Sequence, residues 1–176
     1  VVRAGDQPRE FLFEVWFPGA AARCANYDIF ASVGGSPVGQ SICLGVPNST
    51  GQGATLAVTA DTLFQVVISA SLVAGQLPVS SVGYFLASAA APQTTLNPAG
   101  SQGNLCLGGP IGRVLQSVQA ADAGGWAWTQ LNTGAVPQPN GTLPLLVGST
   151  WSFQFWYRDA NPLPTSNFSE AVQVAF

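Results

Sequence analysis

Apolar and polar residues take turns along much of this chain. In residues 63–73, Phe64, Val66, Ile68, Ala70 and Leu72 fall on one side, while Gln65, Ser69 and Ser71 fall on the other. In residues 10–17, Phe11, Phe13, Val15 and Phe17 oppose Glu10, Leu12, Glu14 and Trp16. Near the C-terminus, Val172, Val174 and Phe176 oppose Ala171, Gln173 and Ala175. A period of two is the repeat of a β-strand with its two faces in different surroundings. Further strands are predicted at 54–60, 82–89, 111–118, 126–131, 143–147 and 150–158. The segments between them, such as GGSP, PNSTGQG, NPAGSQGN and PQPNG, are rich in turn residues. No apolar helical period persists beyond two turns. About nine short strands separated by turn signals predict an all-β fold with little or no helix. Its expected form is a two-sheet antiparallel β-sandwich, Ig-like or jelly-roll-like.

The stretch TWSFQFWYRD, residues 150–159, shows what alternation decides. Trp151, Phe153, Phe155 and Tyr157 share one strand face, and so much ring area is expected in the core. Ser152, Gln154, Trp156 and Arg158 share the other. Three uses are open to Trp156 beside Arg158: a stacked cation–π pair, a sugar platform, or a contact with a neighbouring subunit. The plain alternative is a shielded tryptophan at a sheet edge. Trp126 and Trp128 also share a face in WAWTQL, which places them together in the core or together on a platform.

Charge changes the picture most. Only 7% of the 176 residues are charged, where an ordinary domain has about 25%. All five cations are arginine, and residues 62–112 carry no charge. At 47% apolar the chain is too hydrophobic for disorder. A net charge of −3 without a basic cluster excludes nucleic acid as a partner. The longest uncharged apolar segment is interrupted by Gln65, Gly75 and Pro78, so no membrane-spanning helix is expected. A chain without methionine has lost its initiator. It is read as a processed product of export, its signal peptide removed, or as a trimmed piece of a longer chain. The expected location is extracellular or at the cell surface. Asn48, Asn140 and Asn167 each open an Asn-X-Ser/Thr triplet and are candidate glycosylation sites.

Most enzymatic machinery is missing. There is no histidine for a nucleophile–imidazole pair and no lysine for its variants. Three scattered cysteines make a poor zinc cage. Glu10 and Glu14 share a strand face, but four residues put them about 13 Å apart, too far for glycosidase carboxylates. LCLGGPIGR lacks the lysine of a phosphate loop. Asp159 and Glu170 flank one loop, where capping it and pairing with Arg158 are the plain roles. With Asn161, Asn167 and Ser169 they also make calcium the single cofactor candidate, at Asp159, Asn167 and Glu170. Otherwise no cofactor and no enzymatic activity are expected.

CLGVPNSTGQGATL (43–56), GYFLAS (83–88), GSQGNLCLGGPIGR (100–113) and GSTWSFQFWYRD with SNFSEAVQVAF (148–176) follow one another in an order that is itself distinctive. Together they resemble a domain that recurs in secreted proteins of planctomycetes and related bacteria. The resemblance covers residues 43–176. It implies export and a β-rich domain, and it implies no particular activity. It also implies a disulfide between Cys43 and Cys106, stabilising by roughly 4 kcal/mol on the chain-entropy account. Residues 1–42 then form an N-terminal strand or arm, and 43–176 the sandwich core. Cys24 in that arm is the odd thiol, either free or bonded to another chain.

These features point to two kinds of function. Soluble sheets guard their edges with charge, and this chain has little to spare. The leading expectation is therefore a non-enzymatic structural subunit that self-assembles into a homo-oligomer or polymer, as a filament or surface layer. Phe11, Phe13, Val15 and Phe17 would form its assembly strand. The alternative is a carbohydrate-binding or adhesive module, with Trp156 and Arg158 as the sugar contact.

Overall fold

Within the described residues, the alternating segments become strands of two antiparallel sheets. A computed structural model describes residues 36–63, 66–161 and 163–176. The strands are β1 (Ser36–Pro37), β2 (Gln40–Cys43), β3 (Thr55–Leu63), β4 (Val66–Gly75), β5 (Val82–Ser88) and β6 (Gly112–Ala120). They continue as β7 (Ala127–Gln130), β8 (Val136–Gln138), β9 (Gly141–Leu143), β10 (Thr150–Ala160) and β11 (Pro164–Ala175). One sheet has the order β1-β3-β4-β7 and the other β2-β11-β10-β5-β6, while β8 and β9 form a separate hairpin. The helical content of the described residues is one 3-10 turn at Pro98–Gly100. No helix among the described residues is long and apolar enough to cross a membrane.

The chain divides into two units, Val1–Ala31 and Ser32–Phe176, and the described residues all lie in the second. Residues 36–42, expected to belong with the arm, are part of the sandwich. The reason is pairing: β1 hydrogen-bonds to β3, and β2 hydrogen-bonds to β11. Phe11, Phe13, Val15 and Phe17, and with them Cys24, lie outside the described residues.

The main core lies where both sheets turn their apolar faces inward. Trp151, Phe153, Phe155 and Tyr157 of β10 are all buried there, as their shared strand face requires. Leu56 and Val58 of β3 and Leu72 of β4 meet them from the other sheet. Each large side chain withdrawn from water this way contributes roughly 1.5–3 kcal/mol.

A second, smaller cluster occupies the other face of the five-stranded sheet. It joins Leu86, Phe168 and Ala171 on the strands to Cys106 and Leu107 in the connection between β5 and β6. Residues 89–111 thus form a roof over that face. Strict alternation would put Phe168 and Ala171 on opposite faces. A bulge prevents this: Gln154 pairs with Ala171 but Trp156 pairs with Phe168, so Phe155 faces two residues of β11. The Ser169 hydroxyl accepts the Phe155 N–H at 2.9 Å and holds the irregularity in place.

Candidate arginine–aromatic groove

Beside the roof, four side chains form a continuous row across the sheet. Tyr84 of β5 and Trp156 of β10 are directly paired in antiparallel register. Such pairs bring Cβ atoms within about 5 Å, close enough for rings to meet. The two ring centroids lie 4.9 Å apart with planes inclined at 34°. Arg158 is two residues beyond Trp156 on the same strand and therefore on the same face. Its guanidinium sits over the Trp156 ring, 5.3 Å from the centroid. Arg113 of β6 pairs with Leu86, two residues from Tyr84, and reaches diagonally back over the Tyr84 ring at 5.9 Å. The order is Arg113, Tyr84, Trp156, Arg158.

These side chains line a groove of about 400 Å³. Pro98, Leu105 and Ile111 of the roof segment form its apolar wall, and Phe168 completes the lining from β11. The roof is pinned in two ways. Cys43 and Cys106 are joined in a disulfide, with Cα atoms 6.4 Å apart. Gln154 is fully buried beneath it; its carbonyl oxygen accepts the Cys106 N–H at 3.0 Å, and its amide donates to the Asn104 and Ser169 carbonyls at 2.9 Å each. The bend in LCLGGPIGR needs its glycines: a Cβ on Gly108 would lie 2.0 Å from the Ala91 carbonyl oxygen.

The groove is electrostatically one-sided. Arg113 and Arg158 are the only cationic residues between 36 and 176. Neither guanidinium has an ion pair or hydrogen bond among the described residues. The described carboxylates are engaged elsewhere. Asp159 accepts the Ser49 and Ala160 N–H groups, at 3.2 and 2.8 Å, and the Asn167 amide at 3.4 Å. The expected pairing of Asp159 with Arg158 therefore does not form, because adjacent strand residues point to opposite faces. Glu170 accepts the Leu56 N–H at 3.0 Å and the Ser41 hydroxyl at 3.2 Å. Asp61 accepts the Ser69 hydroxyl, and Asp122 accepts the Gly124 and Trp126 N–H groups of its own turn.

The other candidate residues fall in separate places. Asp159 and Asn167 meet, but Glu170 works in a different network, and the described residues contain no cluster of three or more acidic, cysteine or histidine side chains suited to a metal. Asn48 is buried, its amide donating to the Gln76 carbonyl and to the Tyr157 hydroxyl at 2.8 and 3.3 Å. Asn167 is equally buried, its amide donating to the Val46 carbonyl as well as to Asp159. Neither amide nitrogen has room for a glycan in the folded chain, which corrects the expectation at both positions. Asn140 is exposed in the turn between β8 and β9. Trp128 is 64% exposed, because Ala127 and Thr129 take the inward phase of β7. Trp126 lies across Gly75, where a Cβ would touch its ring.

Sequence reasoning found Trp156 and Arg158 but not Tyr84 or Arg113. The available signal was that no other cations follow residue 23, which marks both arginines as unusual. No family model, curated protein or solved structure matches the chain.

Proposed function

We propose that this chain is an exported, non-enzymatic carbohydrate-binding module and that the Arg113–Tyr84–Trp156–Arg158 groove is its sugar site. One observation carries the reading: the only two cations of residues 36–176 converge on a cross-strand pair of aromatic rings. The outer edges of the rings offer apolar surface to the C–H side of a sugar, and guanidinium groups donate to its oxygens. Packing against the rings holds both arginines ready, which lowers the ordering cost of binding. The disulfide suits an oxidising compartment and supports export, as does the resemblance to secreted planctomycete domains. Screening the purified chain on immobilised glycans tests this. Trp156→Ala is expected to lower affinity at least tenfold while leaving the near-ultraviolet signal of the core rings in place. A chain that binds no glycan, or binds one equally well without Trp156, refutes the reading.

A second reading, the self-assembling subunit, has one observation in its favour. Leu115 and Val118 of β6 and Trp128 of β7 are exposed apolar side chains on edge strands of the two sheets. The Gln119 amide donates to the Trp128 carbonyl at 2.6 Å and ties those edges together. A contact there would bury side chains instead of extending a sheet. Electron microscopy of native material distinguishes ordered fibres from dispersed particles, and only fibres or layers sustain this second reading.

A further inference from the structure

We infer that the groove selects carboxylated sugars, that is, a segment of a uronic-acid polysaccharide. The inference rests on the carbohydrate reading and goes further by naming the class. A neutral sugar could pack against the outer edges of Tyr84 and Trp156, but it would give the two guanidinium groups only neutral acceptors. Arginine stays charged at every accessible pH, so that demand cannot be titrated away. No carboxylate among the described residues lines the groove to meet it; they accept hydrogen bonds elsewhere. Among residues 36–176 four carboxylates stand against only these two cations, so the positive charge of the described residues is confined to this one place.

The geometry also bears on which anion fits. Both guanidinium groups lie over aromatic faces, 5.3 and 5.9 Å from the ring centroids. A sugar packed beside them presents its rim at close range. A hexuronate carries its carboxylate directly on a ring carbon, planar and within reach of a guanidinium fork, which binds carboxylates through two parallel hydrogen bonds. A sulfate ester stands farther off through an additional oxygen and is tetrahedral. Arginine at both ends of the aromatic pair suits two carboxylates of one oligosaccharide segment. A groove of about 400 Å³ accommodates a short segment of chain, in the usual range for small-ligand sites.

The test is calorimetry on the full chain with four probes: oligogalacturonate, its fully methyl-esterified form, a neutral β-glucan oligosaccharide and a sulfated galactan. The expected result is binding of oligogalacturonate alone, weakening with added salt. Arg113→Gln and Arg158→Gln should each lower affinity about tenfold or more, as loss of a charge-assisted hydrogen bond requires. Both side chains are exposed, so neither substitution removes core packing. Arg158→Lys, which keeps charge but not the fork, should recover only part of the loss. Equal binding of the ester or the neutral glucan overturns the carboxylate inference and leaves the carbohydrate reading standing. Preference for the sulfated galactan overturns the inference in favour of a sulfate site. Binding of none of the four overturns it as well, and the broader glycan screen then decides the carbohydrate reading separately.

Discussion

The Gln154 side chain, from the middle of β10, accepts the backbone N–H of Cys106 at 3.0 Å in a fully buried position. One amide thereby joins the five-stranded sheet to the roof over it, and its nitrogen donates to Asn104 and Ser169 as well. Gln154→Glu keeps the shape but replaces the donor with a carboxylate facing two carbonyl oxygens. We expect a loss of about 3 kcal/mol in urea unfolding at neutral pH, from buried charge and unmade hydrogen bonds. Affinity at the groove should fall with it, since Leu105 lies between the two roof residues that Gln154 holds.

The disulfide constrains the same roof from its other side. Cys43 and Cys106 are 63 residues apart, and opening that loop costs about 4 kcal/mol on the chain-entropy account. The Cys43→Ser, Cys106→Ser double variant should therefore melt well below the native chain, and the native chain should shift likewise under reductant. The main core excludes both cysteines, so its aromatic circular dichroism should survive at low temperature while ligand binding at the groove is lost. Unchanged melting under reductant, with the thiols shown to be free, contradicts this assignment.

Gly112 opens β6 beside the β8 backbone. A Cβ there would lie 1.6 Å from the Pro137 carbonyl oxygen, and a backbone atom in a paired strand has little freedom to withdraw. Gly112→Ala should destabilise by about 1–3 kcal/mol through forced separation of the two strands. Because Arg113 is the next residue, the variant should also weaken binding at the groove. A urea midpoint equal to that of the native chain would show that β8 does not pack this closely.

The strands of the main core were legible because their side chains obey a period of two against one buried face. Residues 150–158 and 170–176 fall in the phase their alternation predicts. What escaped had physical causes. The second cluster depends on the bulge opposite Phe155, which resets the phase of β11 and brings Phe168 to the same side as Ala171. PQPNG looked like a plain breaker, yet Pro139 and Asn140 form the turn of the β8–β9 hairpin. Trp128 of β7 faces outward because strand phase follows pairing with β4, where Ala74 and Leu72 already fill the inward side. The groove was half visible, as Trp156 beside Arg158. Tyr84 and Arg113 join it only through the strand order β10-β5-β6, which alternation within single strands does not encode.

Tyr157 gives the protein a pH dependence with a definite sign. Its ring is buried in the main core and its hydroxyl accepts the Asn48 amide at 3.3 Å. Burial pushes the phenol upward from its ordinary value, the hydrogen bond from Asn48 opposes this, and the Asp159 charge adds to the rise. In the unfolded chain the same hydroxyl ionises near about pH 10. Above that pH the folded state holds a proton that the unfolded state has released, so unfolding becomes easier as pH rises. The contribution is fully present below about pH 10 and is lost with a limiting slope of about 1.4 kcal/mol per pH unit. Tyr157→Phe should cost about 1 kcal/mol at neutral pH, by removing the partner of Asn48. It should also flatten the alkaline limb relative to the native chain, because the other tyrosines are common to both proteins. Urea midpoints of the two proteins between about pH 8 and about pH 11.5 make the comparison, and parallel limbs would show that this hydroxyl does not control alkaline stability.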